Sequence, residues 1–186
     1  AVWEDIDNEK KKDLILVVEW NAPVIFKNTG RRLTTFSSNL TEWSGFWNTV
    51  ECVDLNNDGK KDLILGNKGT NTSYKATKEK PMKLFINDYD NNGTIEQITT
   101  QTIDGKDVPL HLKQELAKQI PMIKKKNLSY TDYSKKTFQE LFDTEVINNS
   151  VQKTAKMQES CIAINKGNGK FEIQVLPKEV QFSSVN

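Results

Sequence analysis

An acid-rich pattern that recurs along the chain limits its fold more than any other feature. Residues Asp54-Leu55-Asn56-Asn57-Asp58-Gly59-Lys60-Lys61-Asp62-Leu63-Ile64-Leu65 align with Asp5-Ile6-Asp7-Asn8-Glu9-Lys10-Lys11-Lys12-Asp13-Leu14-Ile15-Leu16, with acidic or amide residues at offsets 0, 2, 4 and 8 and a period of 49 residues. A third copy, Asp88-Tyr89-Asp90-Asn91-Asn92-Gly93-Thr94-Ile95-Glu96-Gln97-Ile98, keeps the offsets but follows the second by only 34 residues. Self-similarity of this kind marks repeat architectures, in which each unit buries its faces against its neighbours.

Short apolar runs surround these loops: Leu14 to Val18, Val24 to Phe26, Leu63 to Leu65, Leu84 to Ile86, Cys161 to Ile164 and Phe171 to Leu176. Rich in β-branched and aromatic residues and bounded by Asn, Gly, Asp and Pro, they read as strands. A repeat of about 50 residues with about four short strands has the size of one propeller blade. The expected fold class is therefore mainly β, with blades of four-stranded antiparallel sheets. Residues 1–186 are expected to form a partial propeller of about two blades, each with an Asp-rich loop. Closure takes roughly four to eight blades, so the remaining blades of the same propeller are expected as partners.

Between 108 and 158 the strand signals fade, and a helical insertion within a blade is expected. Leu112, Leu116, Ile120 and Ile123 share one helical face, and Pro121 interrupts it, which implies a kink or two shorter helices. Ser134 is placed to cap a second helix carrying Phe138, Leu141 and Phe142. From residue 106 to 156 ten lysines stand against six acids, net +4. This segment reads either as a solvated helical pair covering a sheet edge or as a surface that docks a partner.

The loops themselves suit calcium, which takes roughly six to eight hard oxygen ligands. Asp54, Asn56, Asp58 and Asp62 alternate so that their side-chain oxygens can converge, Gly59 permits a sharp turn, and Lys60 offers a backbone carbonyl. In the third copy Asp88, Asp90, Asn92 and Glu96 hold the same offsets, with Thr94 at the carbonyl position. In the first copy the spacing survives at Asp5, Asp7, Glu9 and Asp13, but Lys10 replaces the glycine, and a metal-free polar turn is an equal alternative there. Asn, Asp and Gly also dominate turns that hold no ion. An EF-hand is a poor match: it needs a bidentate Glu at loop position 12, where these loops have Leu65 and Thr99.

Composition excludes other classes. With 26 basic and 25 acidic residues, net +1, there is no basic footprint for nucleic acid. No stretch approaches the roughly 18 apolar residues of a transmembrane helix. The opening Ala1-Val2-Trp3-Glu4-Asp5 has no leader character, so the natural N-terminus is expected to lie upstream. Catalytic candidates are few. His111, the single histidine, falls on the expected helix near Glu115 and reads as a surface or capping residue, and no enzyme activity is expected. Cys52 and Cys161 lack zinc spacing; they read as free buried thiols, or as a pair in an oxidising compartment. Trp3, Trp20, Trp43 and Trp47 read as core packing, with a glycan-stacking platform as the alternative.

At the acidic loops, and at Leu84-Phe85-Ile86-Asn87-Asp88 and Asn165-Lys166-Gly167-Asn168-Gly169-Lys170-Phe171-Glu172, the sequence resembles the FG-GAP and VCBS repeat family of integrin-α-like propellers. The chain as a whole looks like the large secreted or lipid-anchored VCBS proteins of Bacteroidota. The resemblance implies a propeller of about seven blades and Ca2+ held by Asp54, Asn56, Asp58 and Asp62 and by Asp88, Asp90, Asn92 and Glu96. It also implies an extracellular or outer-membrane setting, or alternatively a periplasmic one, and a non-catalytic role in binding a protein or glycan at the cell envelope. The rival expectation is a subunit of a polysaccharide-processing assembly with its active site outside this chain.

Overall fold

Alternating burial sets the strands, and the chain builds its first two sheets from short runs of it. In the computed structural model, which describes residues 1–185, β1 (Val2–Glu4) and β2 (Asp13–Leu16) flank the first acidic loop, followed by β3 (Glu19–Asn21), β4 (Val24–Asn28) and β5 (Leu33–Phe36). A 3-10 turn at Asn39–Glu42 leads to β6 (Gly45–Phe46), β7 (Thr49–Val53) and β8 (Asp62–Gly66), the last two flanking the second loop. The third loop joins β9 (Met82–Asn87) to β10 (Glu96–Ile103), and β11 (Lys106–Pro109) follows. Five helices come next, α1 (Lys113–Gln119), α2 (Met122–Lys126), α3 (Tyr130–Ser134), α4 (Phe138–Leu141) and α5 (Thr144–Asn148), then β12 (Val151–Ala155), β13 (Cys161–Asn165) and β14 (Phe171–Val175).

Three four-stranded sheets result, ordered β1-β2-β4-β5, β7-β8-β13-β14 and β12-β9-β10-β11, with β3 and β6 forming a short ribbon. The fold is mainly β, as the sequence implies. The chain divides into two compact units, one made of Ala1–Thr77 together with the segment from Ala155 onward, the other of Lys78–Thr154.

In the first unit, both sheets feed one core. Ile15 and Ile25 from one sheet, Leu63, Leu65, Cys161 and Ala163 from the other, and Trp47 between them are all buried. Polar side chains close its ends: the buried Gln181 accepts from Ser160 N and donates to Ser160 O and Leu176 O, and Asn67 takes the amides of Phe46 and Lys68. Buried backbone groups cannot be left without partners, and these amides supply them.

In the second unit, Phe85 of β9 and Ile98 of β10 pack against Leu116, Ile120, Ile123 and Phe138 from the helices. The Phe85 and Phe138 rings stack with centroids 4.0 Å apart. Pro121 breaks the helical run as expected, standing at the N-cap of α2.

Several expectations need correction. Helix runs only from Lys113 to Asn148, inside the span 108–158; β11 precedes it, and Val151–Ala155, with β-branched residues only at Val151 and Thr154, forms β12 beside β9. Leu112 is not on the buried face: it is 68% exposed, because α1 starts after it. Ser134 ends α3 rather than capping a helix. Thr137 precedes α4, where its backbone N–H and hydroxyl both donate to Glu140, three residues on, at 2.8 Å. Trp3 is half exposed on edge strand β1, so it is not core; Trp47 is buried, Trp43 packs against the core, and Trp20 meets Phe46 edge to face.

Cys52 is half-buried, Cys161 buried, and both are free. They stand on strands either side of β8, opposite Leu63 and Leu65 respectively, more than about 10 Å apart by strand spacing and too far to bridge. Burial pushes both thiols up to about 12, so neither is a reactive thiolate at neutral pH.

Candidate metal centre and a basic groove

The three acidic loops share one backbone frame. In each, the first aspartate accepts the amides of the fifth and sixth residues: Asp5 from Glu9 and Lys10, Asp54 from Asp58 and Gly59, Asp88 from Asn92 and Gly93, at 2.6–3.2 Å. The ninth residue opens the following strand and is buried. Asp13, Asp62 and Glu96 accept the amide of the second loop residue, Ile6, Leu55 and Tyr89, at 3.2, 2.9 and 2.9 Å. The fourth residue is asparagine in every copy, and Asn8, Asn57 and Asn91 all take positive φ near 60° (62°, 58° and 57°). Asparagine tolerates that region, and its recurrence was a readable signal that the ligand-centred reading passed over. The sixth position is also left-handed, and glycine holds it in two loops, but Lys10 holds it in the first at φ 64°.

A second clamp belongs to the first two sheets alone. Asp13 also accepts from Asn28 N and Asp62 from Asn165 N, each at 2.8 Å. Both asparagines then turn back on the loop, Asn28 Nδ2 donating to Lys12 O and Asn165 Nδ2 to Lys61 O, while their carbonyls take Gly30 N and Gly167 N. The Asn-x-Gly at 28–30 is therefore a partner of the one at 165–167, although only the latter stood out in the sequence. Glu96 has no such clamp in the third sheet, whose fourth strand, β12, lies on the far side of β9.

Whether a cation fits differs from loop to loop. In the third loop, one carboxylate oxygen each of Asp88, Asp90 and Glu96 lie within 4.8 Å of one another. Asp90 Oδ1 is buried there with no hydrogen-bond partner. An unpaired buried carboxylate oxygen is costly, so this donor set fits a hard divalent ion. Asn92 Oδ1 takes Thr94 N at 2.7 Å, which fixes the turn.

In the second loop, Asp58 turns to Lys60. It accepts Lys60 N at 2.9 Å and Lys60 Nζ at 3.2 Å, which holds its carboxyl below the usual range. Among the described residues, Asp54, Asp58 and Asp62 are not gathered within 4.8 Å as the acids of the other two loops are, although Asn56 Oδ1 accepts Asp58 N as a loop ligand position would. The first loop likewise gathers Asp5, Asp7 and Asp13, one carboxylate oxygen of each within 4.8 Å of the others, and here Lys27 Nζ lies 2.7 Å from Asp7 Oδ2 and 2.5 Å from Glu9 Oε1. Burial raises the Asp13 carboxyl, opposed by the amides of Asn28 and Ile6.

His111 precedes α1 rather than lying on it. Its Nε2 accepts Thr99 N at 3.3 Å and its carbonyl accepts Tyr133 Oη at 2.7 Å. Burial lowers its pKa, with Glu115 acting against that shift.

Beside it lies a surface that sequence periodicity did not outline. Two cavities of about 470 and 360 Å³ share Lys113, Gln114 and Tyr130. Leu112, Leu128 and Tyr130 are exposed by 68%, 90% and 59%. Lys113 Nζ sits over the Tyr130 ring, 5.1 Å from its centroid, and donates to Leu128 O. Lys118 and Lys124 line the smaller cavity, and no acid lines either one.

Comparison with known proteins agrees with this picture of repeated hairpin loops. The FG-GAP-like repeat model matches residues 5–65, the span that holds the first two loops. No curated protein and no solved structure matches the chain.

Proposed function

We propose that this chain is a calcium-stabilised, β-propeller-like segment of a binding or adhesion protein displayed at the cell envelope, and that it is not itself an enzyme. The observation that carries the reading is Asp90 Oδ1, a buried anionic oxygen left without a partner among converging carboxylates. Asp88, Asp90, Asn92 and Glu96 would hold the ion, with the Thr94 carbonyl. The ion would neutralise the cluster and tie the loop to β10, making local stability conditional on metal. The FG-GAP-like match supports the binding role and the extracellular setting, since such repeats are typical of extracellular domains.

The test is thermal unfolding of the chain in calcium and in chelator. At a calcium level 100-fold above Kd the folded state gains about 2.7 kcal/mol. Calcium should raise the midpoint accordingly, and Asp90→Asn should remove the gain. An unchanged midpoint in the natural chain would sink the metal reading.

The groove around Lys113 and Tyr130 is the surface assigned to the partner, and the chemistry that fits it is an acidic polypeptide bearing apolar side chains. Exposed leucines favour such side chains over sugar rings, and unopposed Lys118 and Lys124 favour carboxylates. A fluorescein-labelled peptide of glutamates interspersed with Phe and Leu should bind, and Lys118→Glu with Lys124→Glu should weaken it at least about tenfold. Equal binding by the charge-reversed chain, or binding of polygalacturonate in place of the peptide, would overturn this assignment.

A further inference from the structure

We propose that Lys27 is the resident cation of the first loop, its ammonium standing where the third loop takes a divalent ion, so that the first repeat keeps its shape without metal. The inference rests on the calcium reading of the third loop and divides the three repeats by what neutralises them.

Both oxygens of Asp5 are taken by Glu9 N and Lys10 N, both of Asp13 by Ile6 N and Asn28 N, and those of Asp7 by Glu9 N and Lys27 Nζ. Glu9 adds a second carboxylate to the same ammonium at 2.5 Å. No oxygen of Asp5, Asp7 or Asp13 is left in the condition of Asp90 Oδ1. Asp5 and Asp88 are occupied alike by their loop amides, so the two loops differ at the third position: Asp7 Oδ2 meets an ammonium, whereas Asp90 Oδ1 meets no donor.

Placement then separates Lys27 from an incidental surface pair. It projects from β4, one residue before the Asn28 that clamps Asp13, so its stem starts from a strand paired with β2. Lys27 and Asp7 side chains are only 28% and 15% exposed. The matching position in the second sheet, one residue before Asn165, is the apolar Ile164, which is buried and cannot supply a charge. There the cation comes from Lys60 within the loop, in a pair exposed by 38% and 34% that an entering ion can displace at small cost. The third loop, residues 88–96, contains no lysine at all. Glu9 and Lys10, which depart from the repeat, also make sense here: the longer acid reaches the ammonium, and no tight metal turn has to be kept.

The experiment is calorimetric calcium titration of the full chain and three variants. Asp90→Asn should lower the stoichiometry by one ion, Asp7→Asn should leave it unchanged, and Lys27→Met should raise it by one. A calcium lost on Asp7→Asn would overturn the proposal, because it would show an ion sharing the first loop with Lys27. If Asp90→Asn changes nothing, the calcium reading of the third loop fails. The Lys27 assignment is then judged alone, by unfolding in chelator. There Lys27→Met and Asp7→Asn should each lower the midpoint and the double variant should fall by less than their sum; strict additivity would overturn it. Should Lys27→Met fail to fold, Asp7→Asn in the otherwise natural chain still decides the matter.

Discussion

The two units of this chain bury different chemistries. The first packs Ile, Leu and Val from paired sheets around Trp47, and all four tryptophans of the sequence lie in it. The second joins five buried aliphatic residues to a cluster of five aromatic rings, Phe85, Tyr89, Phe138, Phe142 and Tyr133, and has no tryptophan. An aliphatic core between sheets draws its apolar residues from several short strands, so the loss of one can be shared. A ring stack that joins β9 to a four-residue helix has no such reserve, since α4 is too short to hold itself together without tertiary contacts. The second unit is therefore the more fragile at single positions.

Two substitutions test this difference. Phe138→Ala should cost about 3–5 kcal/mol in the second unit. Far-UV circular dichroism and tyrosine signals should record an earlier transition, while tryptophan fluorescence, which reads the first unit alone, keeps its midpoint. A tryptophan transition that moves by the same amount would break the comparison and make the chain one cooperative block. A smaller effect sharpens it: Thr137→Ala should cost about 1 kcal/mol by removing the hydroxyl that Glu140 accepts, whereas Ser134→Ala should change stability by less than about 0.5 kcal/mol. Equal losses at both positions, measured by urea unfolding, would mean that the cap is not what starts α4.

The strands and the loop frame were legible because their causes are local. Asp13, Asp62 and Glu96 stand at fixed offsets and open strands, and a short apolar run such as Leu63-Ile64-Leu65, bounded by Asp62 and Gly66, declares a strand without reference to anything distant. The helical unit was legible where proline acts, at Pro121, and blurred where helices of four to seven residues are too short to show a period. Thr137-Phe138-Gln139-Glu140 carries a readable capping signature that the apolar stripe from Phe138 drew toward Ser134 instead. The neutralisation of the first loop was not legible at all. Lys27 lies 18 residues beyond Glu9, and only the pairing of β2 with β4 brings them together. The same holds for Trp3, whose exposure follows from its place on an edge strand rather than from its side chain.

The insertion of the second unit between β8 and β13 also sets an order of assembly. Leu63 pairs with Ala163 across a separation of 100 residues, so the second sheet closes a loop that contains the whole of the other unit. Closing so long a flexible loop carries an entropic penalty and slows folding. During synthesis, however, Lys78–Thr154 is complete before β13 leaves the ribosome. If that unit condenses first, it removes most of the loop's freedom in advance. The first unit, although it begins the chain, is then the last to finish, and until it does β8 exposes an unpaired edge on the side where β13 belongs.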